Sequence, residues 1–221
     1  MTRRTTIVIA TAFIALAAFA AAVFLYQRHD RQQATERAVR QFDVMVREHS
    51  PVMGPATAPV TIVEFFDPAC EACRAFYPYV KQILADYPRD ARLVIRYVPF
   101  HEAPSVAGVQ ILEAARRQNR FEPVMDALMQ SQPVWASHHA PATEKAWDFA
   151  RAAGLDLEQA RAYVATGAVN KVLEQDFEDL KAVGVRGTPT FFVNGKPLLE
   201  ADPRVLRDMV KNEAARSRQT P

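Results

Sequence analysis

The chain has 221 residues, 49% of them hydrophobic and 24% charged, with a formal net charge of +2. That content suits a folded domain with a sizeable core and excludes a disordered polymer, and a charge this near neutral leaves no electrostatic footprint for nucleic acid as a partner. The two cysteines lie three residues apart, which excludes a small scaffold held by several disulfides.

The first element in chain order is an uncharged run of twenty residues, Ile7 to Tyr26, preceded by Arg3 and Arg4. At about 1.5 Å per residue such a helix spans the ~30 Å hydrocarbon core of a bilayer, with the arginines on the cytoplasmic side. The run predicts a transmembrane signal anchor over residues 1–26. A cleaved signal peptide is the alternative, because Ala18-Phe19-Ala20 offers a small-x-small site. The apolar core of such peptides is usually only ~7–15 residues, which favours the anchor. Both expectations export the rest of the chain to an oxidising compartment. In one, a single-pass span at 7–26 holds the domain at the inner membrane, facing the periplasm; in the other, the domain is soluble there after cleavage.

Residues 27–50 mix charges with alanine, and Ala34, Ala38, Phe42, Met45 and His49 fall at helical spacing, which predicts a solvated juxtamembrane spacer helix. Ser50-Pro51, Gly54-Pro55 and Pro59 then mark entry into the folded domain. Val60 to Phe66 is β-branched or aromatic almost throughout and apolar on both alternating faces except at Glu64, the pattern of a central strand covered on both sides. Asp67-Pro68 ends it. A helix is predicted over about 69–85, with Phe76, Val80, Ile83 and Leu84 inward, and a second interior strand over Arg92 to Val98. Strand, helix, strand of this length implies a βαβ unit with parallel pairing and a right-handed crossover.

From about 103 to 182 the composition is helical, with segments near 103–119, 121–130, 142–153 and 156–182, broken by Pro133, Pro141 and Gly154. Thr190 to Val193 is a short strand, Asn194-Gly195 a hairpin turn, and Pro197 to Leu199 the returning strand. A last helix runs over about 203–215, with Pro203 in its first turn.

Cys70-Glu71-Ala72-Cys73 sits between a buried strand and the start of a helix. Unsatisfied N–H groups and the positive end of the helix dipole stabilise a thiolate there, and a second cysteine one turn on can attack a mixed disulfide formed at the first. The rival is half of a zinc site, which needs four nitrogen or sulfur ligands. His29, His49, His101, His138 and His139 would have to complete it, and none stands at a recognised spacing from the cysteines. Glu64 is a second candidate. A carboxylate inside an apolar strand is costly unless paired or protonated, and burial raises its pKa, so it could exchange a proton with a buried thiol. A paired structural charge or a surface glutamate is the alternative role.

Together, Val60 to Asp67, the Cys70–Cys73 motif and Gly184 to Gly195 resemble the thioredoxin superfamily, in its DsbA-like branch with a helical insertion, over about residues 51–217. The resemblance implies an α/β thioredoxin-like fold with the insertion at about 103–182, preceded by the transmembrane helix. It implies Cys70 as exposed nucleophile, Cys73 as buried resolving cysteine, Glu64 as the acid beneath them, and Pro189 as a cis-proline presenting the Thr188 backbone to substrate. The implied activity is thiol–disulfide oxidoreduction on exported proteins with cysteines, recycled by a membrane redox partner, with no organic cofactor or metal required. A client- or metal-binding module without turnover is the alternative. Two departures stand out: Glu-Ala between the cysteines, where strongly oxidising relatives carry Pro-His, and threonine before the proline, as in the superfamily's isomerases. Arg74 partly offsets the Glu71 charge.

Overall fold

The computed structural model describes residues 44–219. The expected anchor at 7–26 and the spacer up to residue 43 lie outside the described residues. Among those described, no helix is long and apolar enough to cross a membrane.

A five-stranded sheet forms the centre, in the order β1 (Val52–Met53), β3 (Ala91–Tyr97), β2 (Val60–Phe66), β4 (Thr190–Val193) and β5 (Lys196–Pro197). The central β2 is buried at all seven positions, as its apolar sequence requires, and runs parallel to β3 from Val60 opposite Ala91 to Phe66 opposite Tyr97. The connection between them is helix α1 (Glu71–Asp86), the predicted βαβ unit. On its other side β2 pairs antiparallel with β4, placing Thr190 opposite Phe65. Because β4 runs backwards, its first residues arrive at the end of β2 where the chain turns into the cysteine pair.

Helices α2 (Glu102–Arg117), α3 (Phe121–Trp135), α4 (Thr143–Ala152), α5 (Leu157–Ala165) and α6 (Ala168–Val183) make up the insertion between β3 and β4, and α7 (Pro203–Ser217) closes the domain. The alternation of a strand divides the core. Ile62 and Phe66 of β2, with Leu93, Ile95 and Tyr97 of β3, pack in a large cluster that includes Cys73, Phe76 and Val80 of α1, Leu112 of α2, Trp135 of α3 and Leu206 of α7. Val63, Phe65 and Val94 face a smaller cluster with Met45, Leu180 of α6, Val185 and Phe192.

Four details differ from the sequence expectation. Residues 156–182 form two helices, because Gly167 takes a left-handed φ of 74° between α5 and α6. Helix α3 continues through Pro133 to Trp135, since a proline this near the C-terminus removes only one helical hydrogen bond. The returning strand is Lys196–Pro197, after a turn with Asn194 at φ 47° and Gly195 at φ 79°, and Leu199 beyond it is exposed. Finally, the end of the expected spacer is built into the domain: Met45 is fully buried, and Arg47 and His49 bond to Asp179 and Asp176 of α6.

Candidate active site

Strand β2 ends at Phe66, and Asp67 turns the chain. Its fully buried carboxylate accepts hydrogen bonds from the Ala69, Phe100 and His101 backbone N–H groups and pairs with His101 Nδ1 at 2.7 Å. Those bonds tie the turn to the start of α2. Cys70 follows as the N-cap of α1, extended at φ −76° and ψ 122°, and its Sγ accepts from the Cys73 N–H at 3.4 Å. A sulfur here occupies the place a serine or aspartate oxygen takes in other caps, facing the unpaired N–H groups of the first turn.

The Thr188–Pro189 peptide bond is cis. The Thr188 carbonyl lies 3.4 Å from Cys70 Sγ and accepts from the thiol. The antiparallel register of β4 brings these two loops together across 118 residues of sequence. Under this cover Cys70 retains 6% of its surface and Cys73 none, so the nucleophile expected to be exposed offers only a narrow face. The two cysteines are free thiols.

The electrostatics separate the two. Hydrogen bonding from the Cys73 thiol lowers the Cys70 pKa to about 5 against the opposing effect of burial, helped by the Thr188 side chain and the Cys73 and Ala72 N–H groups. Burial pushes Cys73 well above the ordinary thiol range, reinforced by its bond to Cys70 and the charge of Glu64. Glu64 lies on the α1 face of β2 at 2% exposure, and burial followed by the charge of Cys70 raises it to about 8. One thiol ionises readily, its neighbour keeps its proton, and a carboxyl group poised near neutrality stands by: the assortment that thiolate attack followed by proton-coupled resolution requires.

The structure thus brings Cys70, Cys73, Glu64, Thr188 and Pro189 to one end of the sheet. Other groups at this end carried no motif. Gln132 of α3 reaches the Pro68 and Cys70 carbonyls, and its oxygen accepts from Arg74 Nε. His138 stands 3.8 Å from the Glu71 carboxylate and edge-on to His101 at 5.3 Å between centroids. The insertion therefore brings one histidine, His138, to a dipeptide that has none. His49 is held by Asp176 on the far face of the sheet, and among the described residues no cluster of three or more His, Cys, Asp or Glu side chains could hold a metal ion.

A thioredoxin family model matches residues 46–212. Among solved structures, a thioredoxin-like oxidoreductase from Silicibacter pomeroyi superposes with a TM-score of 0.64 at 27% identity, covering 79% of this chain and 95% of that one. BdbD from Bacillus subtilis gives 0.68 at 23% identity, over 76% and 94%. The catalytic domain of Proteus mirabilis ScsC gives 0.67 at 24%, over 81% and 98%. The curated relatives are longer proteins: the Na(+)/H(+) antiporter NhaA of Herminiimonas arsenicoxydans is 33% identical over 147 residues, 66% of this chain and 22% of that protein. The chain thus spans about a fifth of the length of the curated relatives it matches. With the strand–cysteine pair–helix geometry and the cis-proline loop in place, the chain belongs to the thioredoxin family.

Proposed function

We propose that the chain is a thiol–disulfide oxidoreductase acting on exported proteins, with Cys70 as nucleophile, Cys73 as resolving thiol and Glu64 as proton carrier. The observation that carries this is the split between the cysteines: Cys70 is held low by Cys73, Thr188 and the α1 N–H groups, while burial keeps Cys73 protonated above Glu64.

In the reducing direction, the Cys70 thiolate attacks one sulfur of a substrate disulfide. The substrate S–S bond breaks, a mixed disulfide forms at Cys70, and one substrate thiolate leaves. Cys73 then passes its proton to Glu64 and attacks Cys70 Sγ, which releases the second substrate thiolate and closes the Cys70–Cys73 disulfide. In the oxidising direction a substrate thiolate opens that disulfide at Cys70, and Cys73 leaves as a thiolate that takes its proton from Glu64. The substrate's second thiolate then releases the reduced protein. Backbone groups at Thr188 and Pro189 hold the substrate strand beside Cys70. The potential of the redox partner sets which direction runs.

Export is supported by the charge-free run at 7–26 behind Arg3 and Arg4, which we propose as an inner-membrane anchor with the domain in the periplasm, recycled by a membrane redox partner. The similar structures include one described as a periplasmic thioredoxin-like protein from Salmonella enterica.

The test is exchange with a disulfide-bonded peptide, followed by mass spectrometry. Wild type is expected to turn over, Cys73→Ser to accumulate a mixed disulfide at Cys70, and Cys70→Ser to do neither. Capture of peptide by Cys70→Ser without any turnover by wild type would instead make this a binding module. Brief alkylation of the reduced protein at neutral pH should label Cys70, and labelling mainly at Cys73 would reverse the two roles.

A further inference from the structure

We propose that Gln132, supplied by the helical insertion, is the positioning residue for Cys70; this rests on the reading of Cys70 as the nucleophile. Gln132 lies in α3, 62 residues from Cys70 in sequence, and is 2% exposed. Its Nε2 donates to the Pro68 carbonyl at 2.8 Å and to the Cys70 carbonyl at 2.9 Å, and its Oε1 accepts from Arg74 Nε at 3.1 Å. Both amide hydrogens and an oxygen lone pair are thus committed to the segment that flanks the cysteine pair, and none to α3 itself. The partners also fix which way the amide points. Turned over, its oxygen would face two carbonyl oxygens and its NH2 group would face the Arg74 N–H.

Around this amide the insertion forms a socket. A Cβ on Gly108 of α2 would meet the Pro68 ring at 2.7 Å and Trp135 at 3.2 Å, so Pro68 is seated where only glycine leaves room. Trp135, one turn on from Gln132, is fully buried and anchored by its Nε1–H to the Leu128 carbonyl. Pro68 is therefore gripped by packing, while Gln132 sets the rotation of the peptides that follow it. That rotation decides where Cys70 Sγ lies relative to the Cys73 N–H and the Thr188 carbonyl, both 3.4 Å away. Without the amide, the Pro68 carbonyl loses this donor and the Cys70 carbonyl keeps only the Arg74 N–H of α1, so the turn tilts toward water within the limits set by its bonds to Asp67. The sulfur then moves off the N–H groups that stabilise its charge. Arg74, released from Oε1, loses its fixed place beside the pair.

The test is Gln132→Met, which keeps an unbranched side chain of similar length in the socket while removing every hydrogen bond. Two readings are taken on the reduced protein: the pH dependence of Cys70 alkylation and the potential of the couple in glutathione buffers. The expected result is a rise of about one pKa unit in the Cys70 alkylation profile, which is about tenfold less thiolate below pH 5. If the reduced state alone is affected, the potential falls by about 30 mV, the two-electron equivalent of tenfold. Gln132→Asn, which keeps the amide but withdraws it by one methylene, should shift both in the same direction by less. Gln130→Met, exposed on the same helix, should shift neither. A folded Gln132→Met or Gln132→Asn with wild-type pKa and potential overturns the proposal. Failure of both to fold also overturns it, by making Gln132 a support of the fold at large. If wild type performs no exchange, the proposed activity falls, and the alkylation comparison still decides the role of Gln132.

Discussion

Two buried charged groups lie next to each other in the centre of the sheet and have opposite fates. Glu64 of β2 stands opposite Ile95, and Arg96 of β3 stands opposite Phe65, so the two are neighbours in register that point to opposite faces. Arg96, fully buried, donates to Asp176 at 2.7 Å, to Asp179 at 2.6 Å and to the Val44 carbonyl. Asp176 also accepts from the Tyr97 N–H and pairs with His49, and Asp179 pairs with Arg47. Burial pushes Asp179 up, but the hydrogen bonds and charges of Arg47 and Arg96 outweigh it and hold the carboxyl below its usual range. On the α1 face, Glu64 makes no hydrogen bond to the protein among the described residues and is pushed up to about 8. Compensated burial fixes charges as part of the scaffold; uncompensated burial leaves a proton free to move at working pH.

The largest expected effect is on the compensated side. Arg96→Met should destabilise the domain by ~3–5 kcal/mol, because it removes the buried guanidinium that two buried carboxylates share and leaves them only the half-buried Arg47 and His49 and the Tyr97 N–H. Urea unfolding of the described domain measures this. Adding Asp176→Asn and Asp179→Asn should restore part of the loss. The Cys70 alkylation profile should not move, and if it does, the two faces are coupled and the contrast between them fails.

Glu64→Gln is the reciprocal experiment. It should leave the fold intact and slow the resolving step by ~100-fold, the lower end of what a positioned proton acceptor contributes. Stopped-flow rates of mixed-disulfide resolution across pH 5–9, about the range where such groups titrate, check it. Unchanged rates would move Glu64 into the same structural class as Arg96.

A smaller effect concerns pH and stability. The Glu64 carboxyl titrates near 8 in the fold against 4.5 ordinarily, so the folded state holds a proton that the unfolded chain has released. Its contribution is complete below about 4.5 and is lost as pH rises through about 8. Cys70 has the reverse sign: at about 5 in the fold against 9.0, it contributes fully above 9.0 and its share is lost as pH falls toward 5. In the dithiol form the two slopes oppose. In the disulfide form only the Glu64 slope survives, reduced by loss of the thiolate charge, at up to about 1.4 kcal/mol per pH unit. Urea midpoints of the oxidised protein should therefore fall between pH 5 and 8, and Glu64→Gln should flatten the trend.

The contrast was half legible in the sequence. Glu64 announces itself because it interrupts an apolar run, and the cysteine pair, the strands around it and the Gly184–Gly195 segment are local patterns that a linear reading recovers. Arg96 interrupts a strand just as visibly, yet its carboxylates lie 80 and 83 residues away on α6, in a helical stretch where charges at helical spacing look like a solvated face. Sequence separation hid Gln132 and His138 as well: each meets its partner beside the cysteine pair only because the insertion folds back on it, and neither has a motif of its own. Strand β1, two residues long, has no pattern to read at all. Met45 was ambiguous for a related reason, since it fits a spacer's helical spacing as well as it fits the small core cluster that it fills.

The smallest expected effect tests how far the dipeptide governs the uncompensated side. From sequence, Glu71 opposes the Cys70 thiolate and the missing histidine weakens it further, so replacing Glu71-Ala72 with Pro-His should raise the potential by tens of millivolts. The structure puts the rise at the lower end of that range. Glu71 is 68% exposed, so water screens its charge, and it lies 3.8 Å from His138. The stabilisation of Cys70 comes instead from the Cys73 and Thr188 side chains and the Cys73 and Ala72 backbone N–H groups, and a histidine at position 72 keeps the last of these. The sign stays positive, because a carboxylate is removed and an imidazole is added at a helix N-terminus, but the expected rise is only ~20–30 mV, about 1 kcal/mol for two electrons. Equilibration of both proteins in glutathione buffers gives the difference directly. His138→Ala in the parent should lower the potential by a comparable or smaller amount by leaving Glu71 uncompensated. A rise well beyond ~30 mV would mean that Glu71 acts on the sulfur through space despite its exposure, and that the thiol is tuned by its neighbours in sequence more than by the turn that holds it.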